Sequence, residues 1–121
     1  MPRYQASVAC TVLPSIDPED TTGDQRRSAI IGYTQNLSLD AIALILPSSQ
    51  TYGTDPSNLG TAAELVLALP VGYVELSGAL VRHQEAGPKD NLFVFRIEGA
   101  NEMDRRLYRE HLDSLRRKRS P

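Results

Sequence analysis

"YVELSGALVRH" (Tyr73–His83) is the stretch on which the fold turns. Val74, Leu76, Gly78 and Leu80 alternate with Glu75, Ser77 and Ala79, the period of two that a strand with one buried face shows. A glycine in the middle of so long a strand weakens it unless the chain must bend or bulge there, as it does at a barrel corner. The stretch therefore predicts a long, bent strand in a closed sheet.

The same period recurs on either side. Tyr4, Ala6, Val8, Cys10 and Val12 alternate with Gln5, Ser7, Ala9 and Thr11, predicting a first strand. Ser28–Gln35 and Ala41–Leu46 carry the β-branched and apolar content of a second and a third. Leu65, Leu67 and Leu69 mark a fourth that Pro70 closes, and Phe93, Phe95 and Ile97 give the sixth its apolar face. The polar segments Pro14–Gln25, Ser48–Gly60 and Glu85–Asn91, rich in proline, glycine, serine and acids, read as connections. Asn101 is placed to cap a helix from Glu102 to about Lys118, with Met103, Leu107, Leu112 and Leu115 as its apolar face and Tyr108 and His111 beside it. Six strands and one terminal helix predict a mainly β protein, a six-stranded antiparallel barrel with the helix packed across it.

Composition narrows the function classes. A chain of 121 residues holds one domain, and 40% hydrophobic with 23% charged residues is ordinary for a globular protein. The formal net charge of −2 gives no general attraction for nucleic acid, and the longest apolar run, Ala41–Leu46, is far too short to span a bilayer, so neither a nucleic-acid polymer nor membrane insertion is expected. One cysteine, Cys10, allows no internal disulfide and fits a reducing, cytoplasmic setting. Cys10 alternates with polar neighbours and reads as core. His83 and His111 lie on different elements without a second metal ligand at a suitable spacing. The acidic run Asp17–Asp24 lacks the alternating oxygen ligands and terminal glutamate of a calcium loop. No nucleophile elbow is present. The expectation is a binding domain, with no catalytic or metal site. The basic end Arg116–Ser120 opposes the negative end of the helix dipole and reads as solvated surface.

One polar corner lies between two buried runs, in "GYTQNLSLDAIALILP" (Gly32–Pro47). Asn36 and Ser38 are at the i and i+2 spacing of residues whose side chains bond nearby backbone, and a tight connection alone explains them. "NLSLDA" (Asn36–Ala41) also resembles the Asp/Asn-x-Ser-x-x-Gly motif of PilZ domains, bacterial receptors for cyclic di-GMP. The segments "PRYQASVACTVL", "GYVELSGALVRHQ" and "NLFVFRIEGANEMDRRLYREHLDSL" are similar to the family's opening, long later strand, and last strand with closing helix.

The resemblance implies a PilZ-like barrel with closing helix over residues 1–118, a basic tail over 119–121, and cyclic di-GMP as ligand on the outer barrel surface with no further cofactor. Carried over by position, Arg3 matches the second arginine of the family's Arg-x-x-x-Arg motif, Asn36 the Asp/Asn and Ser38 the serine. Arg82 lies where some members supply another basic contact. Arginine suits this role because its planar fork meets phosphates and guanine edges through paired bonds. Two positions depart from the pattern. The first arginine would fall just before Met1, and Ala41 stands where the family has glycine, which would strain the backbone if positive φ were needed or push a β-carbon toward the ligand. Arg105 and Arg109 also spell Arg-x-x-x-Arg, but they follow the other motif and fall on the closing helix; Arg26 and Arg27 have no positional match. The two functions implied are a non-enzymatic cyclic di-GMP receptor and, as the alternative set by these departures, a degenerate PilZ domain that binds a protein partner or further domains of a longer chain.

Overall fold

A computed structural model describes residues 4–14, 30–47, 62–85 and 87–119 of the chain. Among these residues seven strands precede one helix: β1 Tyr4–Gln5, β2 Ala9–Pro14, β3 Ile30–Leu37, β4 Ala41–Pro47, β5 Ala62–Leu69, β6 Gly72–Glu85, β7 Asp90–Gly99 and α1 Glu102–Arg119. The strands run in the order β3–β2–β5–β6–β7–β4, and β4 pairs back onto β3. The result is the expected six-stranded antiparallel barrel, with β1 as an extra short strand on β3. Closure leaves the ring without a free edge.

Alternation fills the interior. Cys10 and Val12 of β2, Leu44 and Leu46 of β4, Leu65 and Leu67 of β5, Val74, Leu76 and Leu80 of β6, and Phe93 and Phe95 of β7 are all buried. Gly78 is where a bend was expected: β6 shifts register against β7 at Ser77/Gly78 and again at Leu80/Arg82. A β-carbon on Gly78 would stand 3.2 Å from Leu65 Cδ1 and 3.3 Å from the Arg96 carbonyl oxygen, so the strands close tightly over it. Gly32 is more constrained still, since a methyl there would collide with the Ile45 carbonyl oxygen and Leu46 Cδ2.

Two expectations are corrected. The first strand is not continuous; it breaks between β1 and β2. Gln5 pairs with Asn36 and Ala9 with Tyr33, so Ala6, Ser7 and Val8 oppose only Gln35 and Thr34. Buried Thr34 fills the break: its hydroxyl accepts the Val8 N–H at 2.9 Å and donates to the Ala6 carbonyl, while its own N–H donates to the Val8 carbonyl at 2.9 Å. Met103, assigned to the apolar face of α1, is 60% exposed instead. Tyr108 and Leu112 carry the buried face, and five residues along a helix of 3.6 per turn place Met103 well round from Tyr108.

The start of α1 is as read. The Asn101 side-chain oxygen accepts the Asp104 N–H at 2.8 Å, and the Asp104 carboxylate accepts from the Asn101 amide at 3.1 Å and from the Glu75 N–H at 3.2 Å. The cap thereby ties the helix to β6. The helix runs to Arg119, one residue past the end expected at about Lys118. Among the described residues no helix is long and apolar enough to cross a membrane.

Candidate functional site

On β4, Ile42, Leu44 and Leu46 point inward, which leaves Ala41 and Ala43 on the outer wall. Register then sets four residues side by side. Ala43 pairs with Asn36 of β3 and with Val94 of β7, and Val94 pairs with Arg82 of β6. The row Asn36–Ala43–Val94–Arg82 crosses three strand spacings, about 14 Å. Each end of the row lies beside a bulge. β3 shifts register against β4 between Thr34 and Asn36, and β6 against β7 between Leu80 and Arg82. An extra residue re-aims the side chain that follows it, so Val81 and Arg82 are both exposed although they are neighbours in the chain.

Small side chains in the middle and longer ones at the ends make a trough of about 290 Å³. Asn36, Ser38, Ala41, Ala43, Val81, Arg82 and Val94 line it. Four of the five residues expected to meet a ligand, Asn36, Ser38, Ala41 and Arg82, are therefore brought together. Arg3 lies outside the described residues, as do Arg26 and Arg27.

Each of the four sits in a definite environment. Asn36 belongs to β3, not to the turn, and its amide nitrogen is 3.5 Å from the Gln35 side-chain oxygen. The Arg82 guanidinium donates to the Gln84 side-chain oxygen at 2.6 Å. Ser38 is buried and opens the turn to β4. Its hydroxyl donates to Asp40 Oδ1 at 2.8 Å and accepts the Ala41 N–H at 3.1 Å, while its own N–H donates to the Ala41 carbonyl at 2.9 Å. The hydroxyl thus shapes the turn, as serine at this spacing does. Ala41 starts β4, paired with Arg96, and no non-glycine among the described residues has positive φ. Of the two consequences expected of alanine here, positive-φ strain therefore does not arise, and its β-carbon is what distinguishes it from glycine.

Two anchors of this turn were not foreseen. The Asp40 carbonyl accepts the Ile97 N–H at 2.8 Å, fastening the turn to β7. The Tyr108 hydroxyl of α1 donates to the Ser38 carbonyl at 2.6 Å inside the protein. Burial raises the Tyr108 phenol well above its ordinary range; the Asp40 carboxylate adds to this and the bond to Ser38 opposes it. Ala43 was legible from the alternation around Ala41, whereas nothing local points from Ser38 to a tyrosine 70 residues away. Arg105 and Arg109 line a different groove, with Leu39, Ile97 and Tyr108.

No protein-family model matches the sequence, and no curated protein matches it. Solved structures do. The fold is similar to that of the Bacillus subtilis inhibitor of motility (MotI/DgrA), with a TM-score of 0.71 at 14% identity over 98% of this chain and 51% of that one. This chain therefore spans about half the length of that protein. It is also similar to the PilZ domain of YcgR from Escherichia coli, solved with c-di-GMP, with a TM-score of 0.62 at 16% identity over 96% of this chain and 89% of that one. With a closed barrel, a closing helix and this likeness across nearly its whole length, the chain has the fold of a PilZ domain.

Proposed function

We propose that this PilZ-like domain is a non-enzymatic receptor for cyclic di-GMP, held in the trough on the outer barrel wall. The observation that carries the reading is the row Asn36–Ala43–Val94–Arg82, which puts an amide and a guanidinium at opposite ends of an apolar floor. An amide offers both a donor and an acceptor to a guanine edge, and a guanidinium fork suits a phosphate or the O6/N7 edge of guanine. Alanine methyls and Val94 offer the floor on which a flat base rests. Arg3, the match to the second arginine of the family motif, is the further contact this reading calls for, and the Ser38 turn holds the wall beside Asn36. Cyclic di-GMP is an intracellular messenger, so the proposal carries a cytoplasmic location with it. The likeness to a PilZ domain solved with this nucleotide supports the choice of ligand.

The side chains available favour binding over catalysis. Among the described residues that line the trough none is a histidine, cysteine, aspartate or glutamate. Cys10 is buried in the core, where desolvation pushes its thiol up to about 12, so it stays protonated at neutral pH.

Titration calorimetry of the chain with cyclic di-GMP tests the proposal. Binding is expected, weakened about tenfold or more in Asn36→Ala and in Arg82→Ala, since each removes a polar or charge-assisted contact. Absence of heat at millimolar nucleotide refutes it.

One observation favours a second reading, a PilZ-like domain that has lost the nucleotide and binds a protein instead. The Ala41 methyl lines the trough where the family motif has glycine. Ala41→Gly separates the two readings. It increases nucleotide affinity if the trough is a working or weakened site, and the interaction module shows no nucleotide response in either form.

A further inference from the structure

Arg96 lies on β7 two residues beyond Val94, with its side chain on the same outer wall. Its register partner across β4 is Ala41 and across β6 is Ala79, so alanines flank it on both sides. Neither side chain extends past Cβ, and the guanidinium is free to swing over the trough. At present it is turned the other way, onto Glu98 of its own strand: Nη2 donates to Oε1 at 2.7 Å and Nε to the same oxygen at 3.2 Å. The two side chains are 62% and 45% exposed, and an exposed pair of this kind is weakly held.

Arg82 is arranged in the same manner. It too bonds a partner two residues further along its own strand, Gln84. Because β6 and β7 are antiparallel, Gln84 pairs with Leu92 whereas Gly78, near the Glu98 end, pairs with Ile97. The two guanidiniums are therefore drawn apart, in opposite directions, from the floor between them. Their backbones are diagonal cross-strand neighbours, roughly 7–8 Å apart. Turned inward instead, they would present two planar forks above Val94 and Ala43.

Resting on the receptor reading above, we infer that Arg82 and Arg96 work as a pair on the two phosphates of the cyclic dinucleotide, and that Glu98 competes with phosphate for Arg96. Binding exchanges each arginine's present exposed partner for a phosphate oxygen, with no bond made or broken covalently. Glu98 lowers affinity by holding Arg96 away, so the trough's affinity is set by a residue outside it.

Calorimetric titration with cyclic di-GMP of the intact chain and of Arg96→Ala, Arg96→Lys and Glu98→Gln tests this. Arg96→Ala is expected to weaken binding about ten- to hundredfold, the loss for one charge-assisted contact. Arg96→Lys restores part of it, because lysine keeps the charge without the fork. Glu98→Gln tightens binding about two- to fivefold, by removing an exposed competitor. Both positions are on the surface, so thermal midpoints close to wild type are the check that the fold is intact. If the wild-type chain binds and Arg96→Ala binds within twofold of it, the pair is refuted and the receptor reading stands. A wild-type chain that gives no response overturns both.

Discussion

Replacing Tyr108 with phenylalanine removes one oxygen atom and leaves the ring in place. The hydroxyl donates to the Ser38 carbonyl at 2.6 Å, both residues are nearly inaccessible, and the bond joins α1 to the turn at the end of the trough. With the aromatic ring kept, no cavity is opened, so the change reports the hydrogen bond and little else. The variant leaves a buried carbonyl oxygen without its donor, at about 1–3 kcal/mol. For a domain of this size that lowers Tm by roughly 3–6 °C per kcal/mol. Urea denaturation measures it directly: the midpoint falls while the m-value, which follows exposed surface, stays as in wild type. Hydrogen exchange locates the effect. The Ala41 and Ile97 amides, which bond Ser38 Oγ and the Asp40 carbonyl, exchange faster in the variant, while the Leu67 amide in the barrel wall does not. A stability loss under about 0.5 kcal/mol, against the 1–3 kcal/mol of an orphaned buried carbonyl, refutes the reasoning that this bond anchors the turn.

Thr34→Val keeps the shape of the side chain but leaves the Val8 N–H and the Ala6 carbonyl without a partner in the break between β1 and β2. The expected destabilisation is about 1–3 kcal/mol by urea denaturation, and a neutral result would mean that water takes over both groups. The Cys10 thiol is raised from 9.0 to about 12 in the fold, so the folded protein keeps a proton that the unfolded chain gives up. Its contribution is therefore complete below about pH 9 and declines toward pH 12, by about 1.4 kcal/mol per pH unit. Tyr108, raised in the same direction, adds to this alkaline loss. In Cys10→Ala the fall in stability between pH 8 and 10.5 is smaller than in wild type by about 2 kcal/mol, and equal slopes would refute the assignment.

Much of this protein is legible in its sequence. The alternation at Val74, Leu76, Gly78 and Leu80, the bend at Gly78, the buried place of Cys10 and the Asn101 cap all follow from periodicity and capping, which act over a dozen residues or fewer. Asn36, Ser38, Ala41 and Arg82 were named from the residues and the family resemblance, and the trough gathers all four. The errors lie where distance along the chain exceeds that range. The alternation from Tyr4 to Val12 is real, but three of its residues oppose only two of β3, and Thr34 of that strand bonds the backbone left over. Met103 fits an apolar stripe on paper, yet packing against the barrel chose the stripe through Tyr108 and Leu112.

From its own residues the chain determined most of the strands, the apolar faces of those strands and where the helix begins, because each depends on neighbours within a turn or two. Only the tertiary structure decided that Asn36, Ala43, Val94 and Arg82 form one row, that Arg96 stands beside Ala41, and that Tyr108 holds the Ser38 turn. Register between strands is a choice among long-range pairings, settled by closing the barrel over its core, and a one-residue shift of any strand in that row would have turned its side chain to the opposite face.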